Sequence, residues 1–326
     1  MNKPVQHHYL PQGAYLRFFE SPEKKGFVWM YERGRKPILV NIKNAAKERH
    51  LYSFLEEDGK YNTELESAFA EMEQIAIPVI KKLNNANRAM FLTTQEKSDL
   101  SWFLAMQFVR TPAFRNELKK IRIEFTKIYM RSLASNKKAF AQKLEAARKW
   151  KPSTPKVSVE DMQEFVFSDR YDVKITGGNN YFLKQVVKLG DRIWAAIMMK
   201  NVFILRTTSN YFITSDYPVN LISDPSADPF LSGGFLMAGV LVPIGSETAL
   251  FFKNTQDFKD PNKKKKVFVD YYEITPERAE WINSVNISRA ERFLFGASND
   301  TKIKELFDKT TVPKRFYMDS PFFRKK

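Results

Sequence analysis

A chain of 326 residues with 43% hydrophobic and 14% aromatic content is long enough to bury a large core, which excludes general disorder. Its 53 Lys and Arg against 37 Asp and Glu give a formal net charge of +16, a field that draws polyanions and puts nucleic acid first among expected partners, ahead of an acidic protein. The lack of cysteine excludes disulfides, thiolate nucleophiles, Cys-ligated zinc and iron–sulfur clusters.

The first eight residues, Met1 to His8, contain no apolar run of the kind that heads a secretory signal, so a cytoplasmic location is the expectation. Phe27 to Ile42 is rich in Val, Ile, Trp and Tyr on both sides of Arg33-Gly34-Arg35, and this predicts a hairpin. Glu64 to about Leu83 repeats its apolar residues at helical spacing, with Pro78 expected to bend or end the helix. Thr93-Thr94-Gln95-Glu96 carries the Thr-x-x-Glu pattern of a capped helix start. After Thr111-Pro112, one long basic helical stretch is expected from Ala113 to Lys149, ending at the linker candidate Lys151-Pro152-Ser153-Thr154-Pro155.

A short helix near Ser158 to Ser168 and a longer one over Tyr181 to Lys200 follow. Beyond Asn201 the character changes to short β-rich runs at Val202 to Leu205, Tyr211 to Thr214, Leu236 to Val242, Thr248 to Phe252 and Lys266 to Tyr272. Thr275-Pro276-Glu277 opens a last helix, with proline at its first turn. The longest uncharged stretch, Pro229 to Ser246, carries four glycines and two prolines and reads as strands and turns, not as a membrane span. The segregation predicts an α+β protein: a helical N-terminal two-thirds with an N-terminal hairpin, packed on a mostly antiparallel sheet from the C-terminal third. The expected organisation is one domain over residues 1–310, with a candidate helical subdomain at 64–200 and a basic tail at 311–326.

Few residues carry chemistry. Two of the three histidines, His7 and His8, stand together ahead of Tyr9 and Gln12, and a histidine moves protons near neutral pH or ligates a metal. His50 has no companion nearby in sequence and reads as structural. Gln107 and Arg110 lie at i and i+3 at a helix end, where the arginine fork suits a phosphate. Glu66 and Glu73 are seven apart on one helical face, a spacing that holds a divalent ion such as Mg or Mn or orients a histidine. Asp216 follows a β-rich run in Thr214-Ser215-Asp216-Tyr217-Pro218, a corner that suits either a site or an ordinary turn. Phosphate loops, dinucleotide fingerprints, nucleophile elbows and His-Glu-x-x-His are all missing.

Taken in order, the run from His7 to Gln12, Tyr15-Leu16-Arg17, Trp29 and Tyr31, the helix from Glu66 to Glu73, Gln107-x-x-Arg110-Thr111-Pro112 and Thr214-x-Asp216-x-Pro218 resemble domain of unknown function family 4238 over residues 7 to about 296. Its name assigns no reaction, so the resemblance implies sites only. It marks His8, Glu66, Glu73, Gln107, Arg110 and Asp216 as one site, with His7, Tyr9, Gln12 and Arg17 beside it for substrate. The expectation is phosphodiester cleavage, RNA before DNA. His8 would be the acid or base, Gln107 and Arg110 would hold the phosphate, and the carboxylates of Glu66, Glu73 and Asp216 would orient the histidine or bind a metal. The alternatives are a non-catalytic nucleic-acid- or protein-binding protein and an enzyme acting on a small nucleotide ligand.

Overall fold

The computed structural model describes residues 6–56, 60–62, 64–150, 156–175, 178–208, 211–222, 234–254 and 266–311; the linker candidate at 151–155 and the tail beyond 311 lie outside them. The chain opens with β1 (Gln6–His8), a 3-10 turn at Leu16–Phe19 and the expected hairpin, β2 (Phe27–Glu32) and β3 (Ile38–Asn41). Gly34 in the connecting turn has φ +69°, a left-handed value that glycine adopts without a Cβ penalty. The short strands β4 (Lys47–Arg49), β5 (Phe54–Leu55) and β6 (Tyr61–Asn62) precede α1 (Glu64–Asn84). Of the two outcomes expected at Pro78, a bend or an end, the end does not occur: α1 continues through it to Asn84. Pro78 and Gln74 are both exposed, so the carbonyl deprived of its helical partner is open to water.

β7 (Met90–Thr93) leads into α2 (Thr94–Val109), which begins with the predicted capping box. The Glu96 amide donates to Thr93 Oγ1 at 3.0 Å and the Thr93 amide donates to Glu96 Oε2 at 2.7 Å. The Phe114 amide donates to Thr111 Oγ1 at 3.2 Å, which caps α3 (Pro112–Ala134) with proline at its first position. The single helix expected to reach Lys149 is two. α4 (Lys137–Trp150) starts afresh where the Ala139 amide donates to Asn136 Oδ1 at 3.1 Å, a local bond that competes with the continuing helix. α5 (Val159–Ser168) is capped by Ser158 and ends at Asp169, φ +56°; α6 is Gly178–Met198.

The strands then gather: β8 (Lys200–Arg206), β9 (Thr214–Ser215), β10 (Asn220–Ile222), a helical turn α7 (Gly234–Met237), β11 (Gly239–Pro243), β12 (Thr248–Asn254) and β13 (Lys266–Glu273). α8 (Pro276–Arg289), β14 (Phe293–Gly296) and α9 (Thr301–Lys309) complete the described chain. Six strands pair in the order β10-β11-β12-β8-β13-β7, antiparallel except for β8 beside β13. A second sheet, β3-β2-β14-β9, is wholly antiparallel and joins the N-terminal hairpin to a strand from the far end of the sequence. Of the strand expected at Tyr211 to Thr214, only Thr214 pairs, because β9 meets β14 at just two positions. The fold is mixed α+β, with helices concentrated early and antiparallel sheet late.

Contacts divide the chain into two compact units. The larger takes Met1–Arg115 and Asn179–Pro313, and it contains the six-stranded and four-stranded sheets, α1, α2, α6 and α8. The smaller spans Asn116–Gly178 and closes its own core with Ala134, Phe140 and Val166. Among the described residues no helix is long and apolar enough to cross a membrane.

Candidate active site

Within the larger unit, four short pieces of chain meet around a cavity of about 160 Å³ lined by His8, Gln12, Gly13, Tyr52, Glu66, Phe69, Ala70, Glu73 and Arg110. β1 supplies His8 and is held in place by pairing with β4, where His8 faces Lys47 and His7 faces Glu48. α1 supplies Glu66, Phe69, Ala70 and Glu73, which at i, i+3, i+4 and i+7 form a single helical stripe. The C-terminal end of α2 supplies Arg110, its amide still bonded to the Met106 carbonyl.

Arg110 is fully buried, and each part of its guanidinium has a distinct setting. Nη1 donates to Glu73 Oε1 at 2.7 Å and Nη2 donates to Gln107 Oε1 at 2.6 Å. Nε has no partner among the described residues, and the group lies 5.4 Å over the Phe69 ring. Gln107 is itself fixed, since its Nε2 donates to the Tyr9 carbonyl at 2.7 Å. Gln107 thus stands behind the arginine as a positioning residue and does not line the cavity.

His7 and His8 are both pushed toward the neutral form. His8 Nε2 accepts from Gln12 Nε2 at 2.6 Å. Burial pulls its pKa down, the Ala45 backbone opposes that shift, and the positive charges of Lys47 and Arg110 reinforce it. His7 is buried behind the cavity wall, stacked on Tyr52 at 5.4 Å, with Nδ1 accepting the Tyr52 amide at 2.7 Å. Burial, His50 and His8 lower its pKa to about 4. His50 therefore has a companion after all: with His8 it lies close enough to His7 to oppose the protonation of His7.

Glu66 behaves oppositely. Burial raises its pKa to about 7; Arg110 works against this shift and the Glu73 carboxylate adds to it. Its Oε2 is buried without a hydrogen-bond partner, 3.9 Å from His7 Nδ1. The two glutamates expected to share a metal have thus taken different tasks, one paired with an arginine and the other able to carry a proton near neutrality. Among the described residues no group of three His, Asp or Glu side chains gathers to hold a metal ion.

Other expected site residues fall elsewhere. Asp216 does not line the cavity. Its Oδ1 accepts the Glu291 amide at 2.9 Å, and its Oδ2 accepts the amides of Arg292 at 2.6 Å and Phe293 at 2.9 Å, so the carboxylate pins the turn between α8 and β14. Tyr9 is buried, with its carbonyl serving Gln107, and Arg17 is exposed on the 3-10 turn. Sequence reasoning missed Tyr52, whose hydroxyl donates to the Arg110 carbonyl at 3.3 Å and lies 3.4 Å from the His8 carbonyl. Nothing around Tyr52 in the sequence signals this, whereas Phe69 was readable as the residue one turn from Glu66.

The fold and cavity define an α+β protein with a buried arginine between a neutral histidine and a protonatable carboxyl. By sequence it belongs to a known family: Protein of unknown function (DUF4238) matches residues 6–300, nearly the whole length. Nothing among curated proteins or solved structures matches this chain.

Proposed function

We propose that this protein cleaves phosphodiester bonds, RNA in preference to DNA, with His8 as base, Glu66 as acid and Arg110 as the group that meets the phosphate. The observation that carries the reading is that these three side chains line one cavity in which burial pushes the pKa of His8 down and that of Glu66 up. At neutral pH a histidine with a lowered pKa is free to accept a proton, and a carboxyl with a pKa of about 7 is half able to give one. The unpartnered Nε–H of Arg110 is a donor for a non-bridging oxygen. The net charge of +16 raises the encounter rate with a polyanion.

Purified protein incubated with end-labelled RNA and DNA, with and without magnesium or manganese, tests this. Cleavage is expected to fall about 100-fold or more in His8→Ala, the usual worth of a positioned acid or base. An intact substrate under every condition, or undiminished cutting by H8A, refutes it. The size of the cavity favours a second reading, an enzyme acting on a nucleotide-sized ligand, because about 160 Å³ is of the order of a phosphate with its sugar. A mononucleotide that raises the melting temperature of the wild type and is turned over, while RNA is left intact, decides for that reading.

A further inference from the structure

Resting on the phosphodiesterase reading, we infer that the attacking group is the substrate's own 2′-hydroxyl, so that the enzyme acts on RNA alone and leaves a 2′,3′-cyclic phosphate and a free 5′-hydroxyl. The first ground is space. A cavity of about 160 Å³ is of the order of a phosphate with its ribose. A separate water molecule would need its own seat and its own orienting groups. A 2′-hydroxyl arrives already attached beside the phosphorus, with the entropy of approach paid by the covalent chain.

The second ground is the division of the polar atoms. His8 Nε2 bears a lone pair, since it accepts from Gln12; a substrate hydroxyl replaces the Gln12 amide at that nitrogen. Glu66 Oε2 is buried without a partner, as is Arg110 Nε. Two Arg110 nitrogens bond Glu73 and Gln107, so the guanidinium is fixed in place, and its Nε–H, unpartnered among the described residues, is left for the phosphate. One acceptor, one proton carrier and one fixed donor make up the set that an internal transesterification uses.

The step balances without a co-reactant. The 2′-oxygen forms its bond to phosphorus as its proton passes to His8 Nε2. The bond from phosphorus to the 5′-oxygen breaks, and that oxygen takes the proton of Glu66. The enzyme is left with a protonated imidazole and a carboxylate, and exchange with solvent restores both.

Wild-type protein is given an oligoribonucleotide and the same oligomer with a 2′-deoxy residue at the mapped cleavage position. The expected result is loss of cutting at the substituted position alone, with the all-ribose product carrying a terminal cyclic phosphate. Equal cutting at the deoxy position, or a product with a 5′-phosphate, overturns the inference and leaves the phosphodiesterase reading standing. No cleavage of either oligomer overturns both. A second arm tests Glu66 as the acid. E66Q is expected to lose about 100-fold on ordinary RNA but to recover most of this on a 5′-thio-linked substrate, whose leaving group needs no proton. A loss of equal size on both substrates removes Glu66 from the step.

Discussion

Replacing Glu66 with glutamine removes one ionisation and keeps the shape, so its consequence for stability can be worked out from the setting of the carboxyl. The folded chain holds this proton more tightly than the unfolded chain, because burial lifts the pKa from 4.5 to about 7. The proton's stabilisation is therefore complete below pH 4.5 and gone above about pH 7. The full rise corresponds to a ceiling of about 3 kcal/mol. The side chain is 38% exposed, so solvent screening reduces this to about 1–2 kcal/mol. His7 runs the other way: its pKa falls from 6.5 to about 4, so its contribution is complete above pH 6.5 and is lost as the pH drops toward 4. Between pH 4.5 and 6.5 the two slopes oppose each other in the wild type. In E66Q only the histidine slope survives, and stability should rise more steeply with pH across that window. Urea unfolding of both proteins at about pH 5 and about pH 8 measures it, with E66Q expected to gain about 1–2 kcal/mol on the wild type between the two. A difference between the proteins that stays constant with pH would show that Glu66 titrates as an ordinary surface carboxyl.

Arg110→Ala strands the Glu73 carboxylate and the Gln107 amide oxygen that the guanidinium now satisfies, at a cost of about 3 kcal/mol, the low end for a buried pair because Glu73 is 23% exposed. Adding Glu73→Ala to that variant should recover at least about 1 kcal/mol in denaturant unfolding; full additivity of the two losses would mean the pair is not coupled. Asp216→Ala leaves three part-buried backbone amides at residues 291, 292 and 293 without an acceptor. The expected loss is about 3 kcal/mol of unfolding free energy, and a change below about 0.5 kcal/mol would show that those amides find other partners.

The parts of the fold that depend on near neighbours were legible. The capping box at Thr93 and Glu96, the turn at Gly34 and the proline at the start of α8 each rest on residues within four positions of one another. What escaped depends on distant pairing. No pattern in Phe293–Gly296 announces that it will lie between β2 and β9, and no pattern in Met90–Thr93 announces an edge strand of the C-terminal sheet. The site followed the same rule. Glu66 and Glu73 share a face because they share a helix, and Gln107 meets Arg110 for the same reason. Asp216 shows where residue type misleads: an aspartate at a strand corner suits a catalytic role as well as it suits binding three amides, and only the position of β14 distinguishes the two.

The charge of the chain and the charge of the cavity call for different explanations. Arg110 and Glu73 cancel each other, His8 is pushed toward neutrality, and Glu66, with a pKa of about 7, is only partly charged near neutral pH. A cavity balanced in this way does not hold a free anion by Coulomb attraction. The surplus cations lie elsewhere, for example the exposed Lys119 and Lys120 on α3, so attraction of a polyanion is a property of the surface. The balance inside serves a different end. A fully positive pocket would drive Glu66 to ionise and leave no acid, and a negative one would protonate His8 and leave no base. Pairing Arg110 with Glu73 keeps the field between those extremes, so acid and base can coexist in one small cavity near neutral pH.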